Sequence, residues 1–64
     1  MKGYYRLLIK ELEAAGCTFV RYGKGDHQVW YSPIVRKNVV VDGGVMSRHS
    51  ANGVLKQAGL TKKF

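Results

Sequence analysis

The spacing of apolar residues changes period twice along this chain, and that change most narrows what it can fold into. Tyr5, Leu8, Ile9 and Leu12 recur at the i, i+3, i+4, i+7 spacing of one helix face, and Ala15 extends the stripe. Arg6, Lys10, Glu11 and Glu13 fall on the other side. This predicts a helix over 4–15, closed by Gly16 in a left-handed cap. Beyond it the residues become β-branched and aromatic. Cys17 to Tyr22 and His27 to Ser32 read as strands, joined by the two-glycine turn Gly23-Lys24-Gly25-Asp26. Pro33 ends the second strand because proline cannot donate to a ladder. Arg36, Lys37 and Asn38 read as a polar turn, and Val39-Val40-Val41 as a third strand stopped by Asp42-Gly43-Gly44. The helical period then returns, with Ala51, Val54, Leu55 and Ala58 on one face. Ser47 or Ser50 can cap this helix by accepting backbone N–H bonds, and Gly59 closes it. Gly53 within it costs about 1 kcal/mol relative to alanine, and the expected return is a close approach of helix to sheet.

The short connections favour an antiparallel meander. Two amphipathic helices need one apolar surface, so both are expected on the same sheet face, with the other face open. The expected class is α+β: a single domain over 1–64, with a three-stranded antiparallel sheet and two helices on one face. This αβββα order is the layout of double-stranded-RNA-binding domains. A chain of 64 residues has room for one such unit and buries only about 60% of its unfolded surface. At 45% hydrophobic it is too apolar for a disordered basic tail. No apolar run approaches the length of a membrane span, and the opening residues read as helix rather than as a secretory leader. A lone Cys17 makes no internal disulfide, which fits a reducing cytoplasm.

Eleven Lys+Arg against four Asp+Glu give a formal charge of +7. That points to a polyanionic partner, nucleic acid ahead of a membrane surface. The bland alternative is a surface kept soluble by like charge. His27 and His49 are the side chains suited to proton transfer near neutral pH. His27 directly follows the glycine turn, where backbone can approach a ligand closely and Lys24 adds positive charge. A phosphodiester held by backbone N–H groups and Lys24, with His27 as general acid or base, is a coherent site. RNA brings its own 2′-hydroxyl nucleophile, so no metal is required. Taken alone, a histidine at a strand start is more often an edge residue with no catalytic duty. His49 reads as a surface or phosphate-contacting residue near a helix start, where the dipole disfavours added positive charge. Cys and His are too few for a zinc site, the carboxylates form no cluster, and the glycine turn is too short for a nucleotide-binding loop. No metal and no cofactor are expected. If His27 faces solvent, Tyr31 shares its face and can stack on a base, while Trp30 and Gln28 turn inward. An unpaired inward amide is costly; a bulge near Asp26 or an edge position for this strand could relieve it, and the sequence does not decide between them.

Three stretches carry a family resemblance. They are Leu7-Leu8-Ile9-Lys10-Glu11-Leu12-Glu13-Ala14-Ala15-Gly16, then Gly25-Asp26-His27 before an aromatic-containing strand, and Val54-Leu55-Lys56-Gln57-Ala58-Gly59-Leu60. In this order and spacing the chain resembles the HicA toxins of bacterial HicAB toxin–antitoxin modules, small RNA-cleaving proteins with a double-stranded-RNA-binding-like fold. The resemblance implies that His27 is catalytic, that mRNA is the substrate and translation inhibition the outcome, and that a HicB-type antitoxin is the partner. Asp26 departs from the family pattern, in which serine is common, and sets a negative charge beside RNA phosphate. Lys24, Gly25, Arg36, Lys37, Arg48 and Lys56 are the candidates for holding RNA. Two other readings share the layout and charge: a non-catalytic double-stranded-RNA-binding module, and an interaction protein that meets only an acidic partner. The first is weakened by a final helix that offers only Arg48, His49 and Lys56.

Overall fold

The computed structural model describes residues 3–44 and 47–64. Helix α1 (Tyr5–Ala14) is followed by strands β1 (Thr18–Tyr22), β2 (His27–Ser32) and β3 (Lys37–Asp42), then helix α2 (Arg48–Gln57). The strands form one antiparallel sheet in the order β1-β2-β3, so the α+β meander expected from the sequence is the fold.

Both helices end in the same way, for the reason their glycines indicated. At the end of α1, Gly16 has a φ of 89°, its N–H donates to the Glu13 carbonyl at 3.0 Å, and the Cys17 N–H reaches back to Leu12 at 2.9 Å. At the end of α2, Gly59 has a φ of 88°, with Gly59 N–H donating to Lys56 at 3.0 Å and Leu60 N–H to Leu55 at 2.8 Å. Each is a Schellman closure, which satisfies carbonyls that a helix end leaves without partners. Ser47, rather than Ser50, caps the start of α2: its hydroxyl accepts from the Ser50 N–H at 3.1 Å.

Strand β3 is longer than its valines foretold. Ser32 pairs with Lys37 and Tyr31 with Asn38, so Lys37 and Asn38 lie in the ladder and the connection is Pro33–Arg36. Cross-strand bonding recruits polar residues that carry little strand preference of their own. Arg36 closes the turn at a φ of 57°. In β1 the register slips between Phe19 and Arg21, a β-bulge that leaves Phe19 and Tyr22 on the same face although three positions apart. Their rings meet edge-on with centroids 5.0 Å apart, and Phe19 also packs edge-on against Trp30 at 5.9 Å.

The core lies between the sheet and the two helices. Leu8 and Leu12 of α1, Ala51 and Leu55 of α2, Ala58 behind it, and Trp30, Val39 and Val41 of the sheet form one buried cluster. Gln28 does turn inward, and neither a bulge at Asp26 nor an edge position relieves it, because β2 is the central strand. Its amide is paired at both ends instead. Nε2 donates to the Tyr5 hydroxyl at 2.7 Å, and Oε1 accepts from the Trp30 indole at 3.0 Å. A fully partnered polar group loses little by burial. Gly53 also departs from expectation: a Cβ there would meet nothing within 4 Å, so it faces open space and not the sheet.

Candidate active site

The register of the sheet decides what His27 can do. Gln28, Trp30 and Ser32 point to the helices, so His27, Val29 and Tyr31 point to the open face. His27 is exposed there, at the corner where β2 begins, directly across from Asp42. Asp42 Oδ1 accepts from the Gly44 N–H at 2.9 Å, which orients this carboxylate toward its own turn.

The corner is held by main chain. Gly23 N–H donates to the His27 carbonyl at 2.8 Å, and His27 N–H donates to the Lys24 carbonyl at 3.0 Å, closing the hairpin loop. Gly25 takes the left-handed conformation at its tip, with a φ of 58°. From the other side, Gly43 N–H donates to the Asp26 carbonyl at 2.9 Å, tying the loop to the end of β3. A Cβ on Gly43 would stand 2.9 Å from that carbonyl oxygen, so only glycine lets the two segments approach this closely. The loop side chains of Lys24 and Asp26 are left exposed. On the helix side of the same loop lies a hollow of about 390 Å³, lined by Tyr5, Tyr22, Gly25, Asp26, Gln28 and Gly43. The loop is therefore a ridge between that hollow and the open face.

The residues proposed from sequence divide between two ends of the molecule. Lys24 and Gly25 share the loop with His27. Arg48 opens α2 in the helix layer, on the sheet face opposite the one that presents His27. Arg36 and Lys37 sit at the far end of β2, roughly 17 Å away at about 3.3 Å per residue. Lys56 joins them there, since the end of α2 is fastened to Ser32, whose hydroxyl donates to the Ala58 carbonyl at 2.6 Å. Two contributors to the corner were missed in the sequence. Gly43 looked like a strand stop, and nothing local signals its contact with Asp26. Arg21 pairs with Val29 on the open face, and its phase depends on a bulge that no residue pattern announced. Among the described residues no three His, Cys, Asp or Glu converge as a metal site. Nor is any described helix long and apolar enough to cross a membrane.

Against protein-family models, residues 5–60 match the one described as the HicA toxin of bacterial toxin–antitoxin. The match runs from the first residue of α1 to the residue that closes α2. No curated protein and no solved structure gives a match.

Proposed function

Since the chain belongs to the HicA toxins of bacterial toxin–antitoxin modules, we propose that it acts as a metal-independent endoribonuclease that cleaves mRNA at the His27 corner and so inhibits translation. Membership in that family makes it a toxin with an antitoxin partner. The antitoxin is taken to be of the HicB type, covering the histidine, and the site of action to be the cytoplasm, where mRNA is translated.

One observation carries the reading. His27 is presented on an open face by a loop whose position is set by three backbone hydrogen bonds, with Lys24 and the Gly25 N–H beside it. A phosphodiester lying against the loop is held by Lys24 and by backbone amide. The 2′-oxygen of the upstream ribose then attacks phosphorus while the bond to the downstream 5′-oxygen breaks. His27 takes the proton from the 2′-hydroxyl or delivers one to the departing 5′-oxygen, water carries the other proton, and the products are a 2′,3′-cyclic phosphate and a 5′-hydroxyl. Tyr31, half-exposed on the same face, offers a ring for a neighbouring base. Arg36 and Lys37, at the other end of β2, serve backbone a few nucleotides away, and Arg48 and Lys56 on α2 add positive charge in the helix layer.

The test compares wild type with His27→Ala in cells and, purified, on RNA in EDTA. Loss of a positioned acid–base group slows cleavage by roughly 10²–10⁴-fold. Because His27 is exposed, the thermal midpoint should not move. Equal RNA decay from both proteins rules out the catalytic assignment. Intact RNA bound at low salt by the wild type would instead favour the non-catalytic binding module.

A further inference from the structure

Helix α2 contains a glycine that the fold does not use. Gly53 lies mid-helix, outside the positive-φ glycines, and a Cβ there would touch nothing. Neither backbone conformation nor packing asks for glycine, yet glycine weakens a helix relative to alanine. The bare strip it leaves is the floor of a groove of about 280 Å³, lined by His49, Asn52, Gly53, Lys56 and Lys62. His49, Gly53 and Lys56 follow one another on one helix face. Lys62 comes from the segment after α2, which Asn52 ties down: its Oδ1 accepts from the N–H groups of Lys63 at 3.1 Å and Phe64 at 3.0 Å, and its Nδ2 donates to the Phe64 carbonyl at 3.2 Å.

The charged side chains around this groove are of one sign. Residues 47–64 contain Arg48, Lys56, Lys62 and Lys63 and no Asp or Glu; the acidic side chains are Glu11 and Glu13 on α1 and Asp26 and Asp42 at the hairpin end. Lys63 faces Glu11 at 3.9 Å, which leaves Lys56 and Lys62 as the groove's cations. The opposite face of α2, with Ala51, Leu55 and Ala58, is buried in the core, so the groove looks away from the sheet and from His27.

We propose that this groove is a second RNA contact, taking a stretch of sugar–phosphate backbone between Lys56 and Lys62, with Gly53 as the point of closest approach. The groove has cations and a glycine but no Phe, Tyr, Trp or large aliphatic lining residue. A protein partner would need such an anchor, whereas a phosphate backbone needs charge and room. The proposal rests on RNA as the substrate but not on cleavage, because the groove opens on the side of α2 opposite its core face, and His27 lies on the far face of the sheet.

The experiment uses the full chain carrying His27→Ala and a labelled 20-nucleotide single-stranded RNA, with anisotropy measured across a salt series. Gly53→Ala should raise the thermal midpoint by roughly 4–8 °C while weakening RNA binding at least threefold, a pairing that a purely structural role does not produce. Lys56→Gln with Lys62→Gln should lower the slope of log K against log salt by about 1.4, or about 0.7 per lost phosphate contact. Tight binding by the parent that neither change affects overturns the groove and leaves the substrate reading standing. Absence of RNA binding by the parent overturns both. In a parallel titration with labelled poly-glutamate, loss of binding by the double lysine variant with RNA affinity intact would assign the groove to an acidic protein and also overturn the proposal.

Discussion

The two ends of β2 are built on opposite principles. At the Ser32 end, side chains do the holding. Ser32 is fully buried with its hydroxyl on the Ala58 carbonyl, and Gly59 lies so near Ile34 and Val35 that a Cβ would stand 2.6 Å and 2.9 Å from their methyls. At the His27 end, main chain does the holding, through glycines and backbone bonds, and the side chains of Lys24, Asp26 and His27 are left in solvent. Geometry set by backbone leaves side chains free to meet a ligand, whereas geometry set by packing consumes them. The turn at one end of β2 is therefore fixed by packing, and the loop that carries the reactive groups by backbone bonds.

The contrast can be broken at either end. The largest effect is expected from Gly59→Ala, which combines a left-handed φ with overlap against two β-branched side chains. Strain and overpacking together cost roughly 2–4 kcal/mol, a large part of the roughly 3–10 kcal/mol available to a chain of this size. Urea unfolding would show it as a lower midpoint, and an unchanged midpoint would mean that the far end is not the anchor. Next is Ser32→Ala, which strands the buried Ala58 carbonyl at a cost of about 1–3 kcal/mol; thermal unfolding measures it, with RNA cleavage per folded molecule unchanged. Gly43→Ala reverses the pattern. It should cost only about 1 kcal/mol, the low end for overpacking, because the loop can lift away. Lifting the loop displaces His27, and cleavage should fall tenfold or more in an assay on RNA in EDTA. A large loss of stability with cleavage intact would contradict the backbone-held corner. Smallest is Lys24→Gln, which should leave the thermal midpoint where it is and reduce the salt slope of RNA binding by about 0.7.

Much of the fold was legible because its signals are local. The stripe Tyr5, Leu8, Ile9, Leu12 is the buried face of α1, and Gly16 and Gly59 close the helices as their positions foretold. The glycine turn before His27 is the β1–β2 hairpin loop. What could not be read depends on partners distant in the chain. Gln28 looked like a liability inward, and its relief comes from Tyr5, 23 residues away. Lys37 looked like turn and became strand because Ser32 pairs with it. Gly53 looked like a packing glycine, and only the placement of α2 shows that its face is bare. The basic residues formed one list by type, and the structure separates them into a set beside His27 and a set about a strand length away.

The sequence by itself determined the order of elements, the ends of the helices, the inward stripe of each helix and the glycine turn that precedes His27, since each follows from spacing or conformation over a few neighbouring residues. Only the tertiary structure decided which face His27 occupies, that the bulge in β1 turns Arg21 to that same face, that Gly43 must lie against Asp26, and which cations share an end with the histidine. Those are matters of register between strands and of contact between distant segments, and a one-residue slip in pairing would reverse every one of the faces.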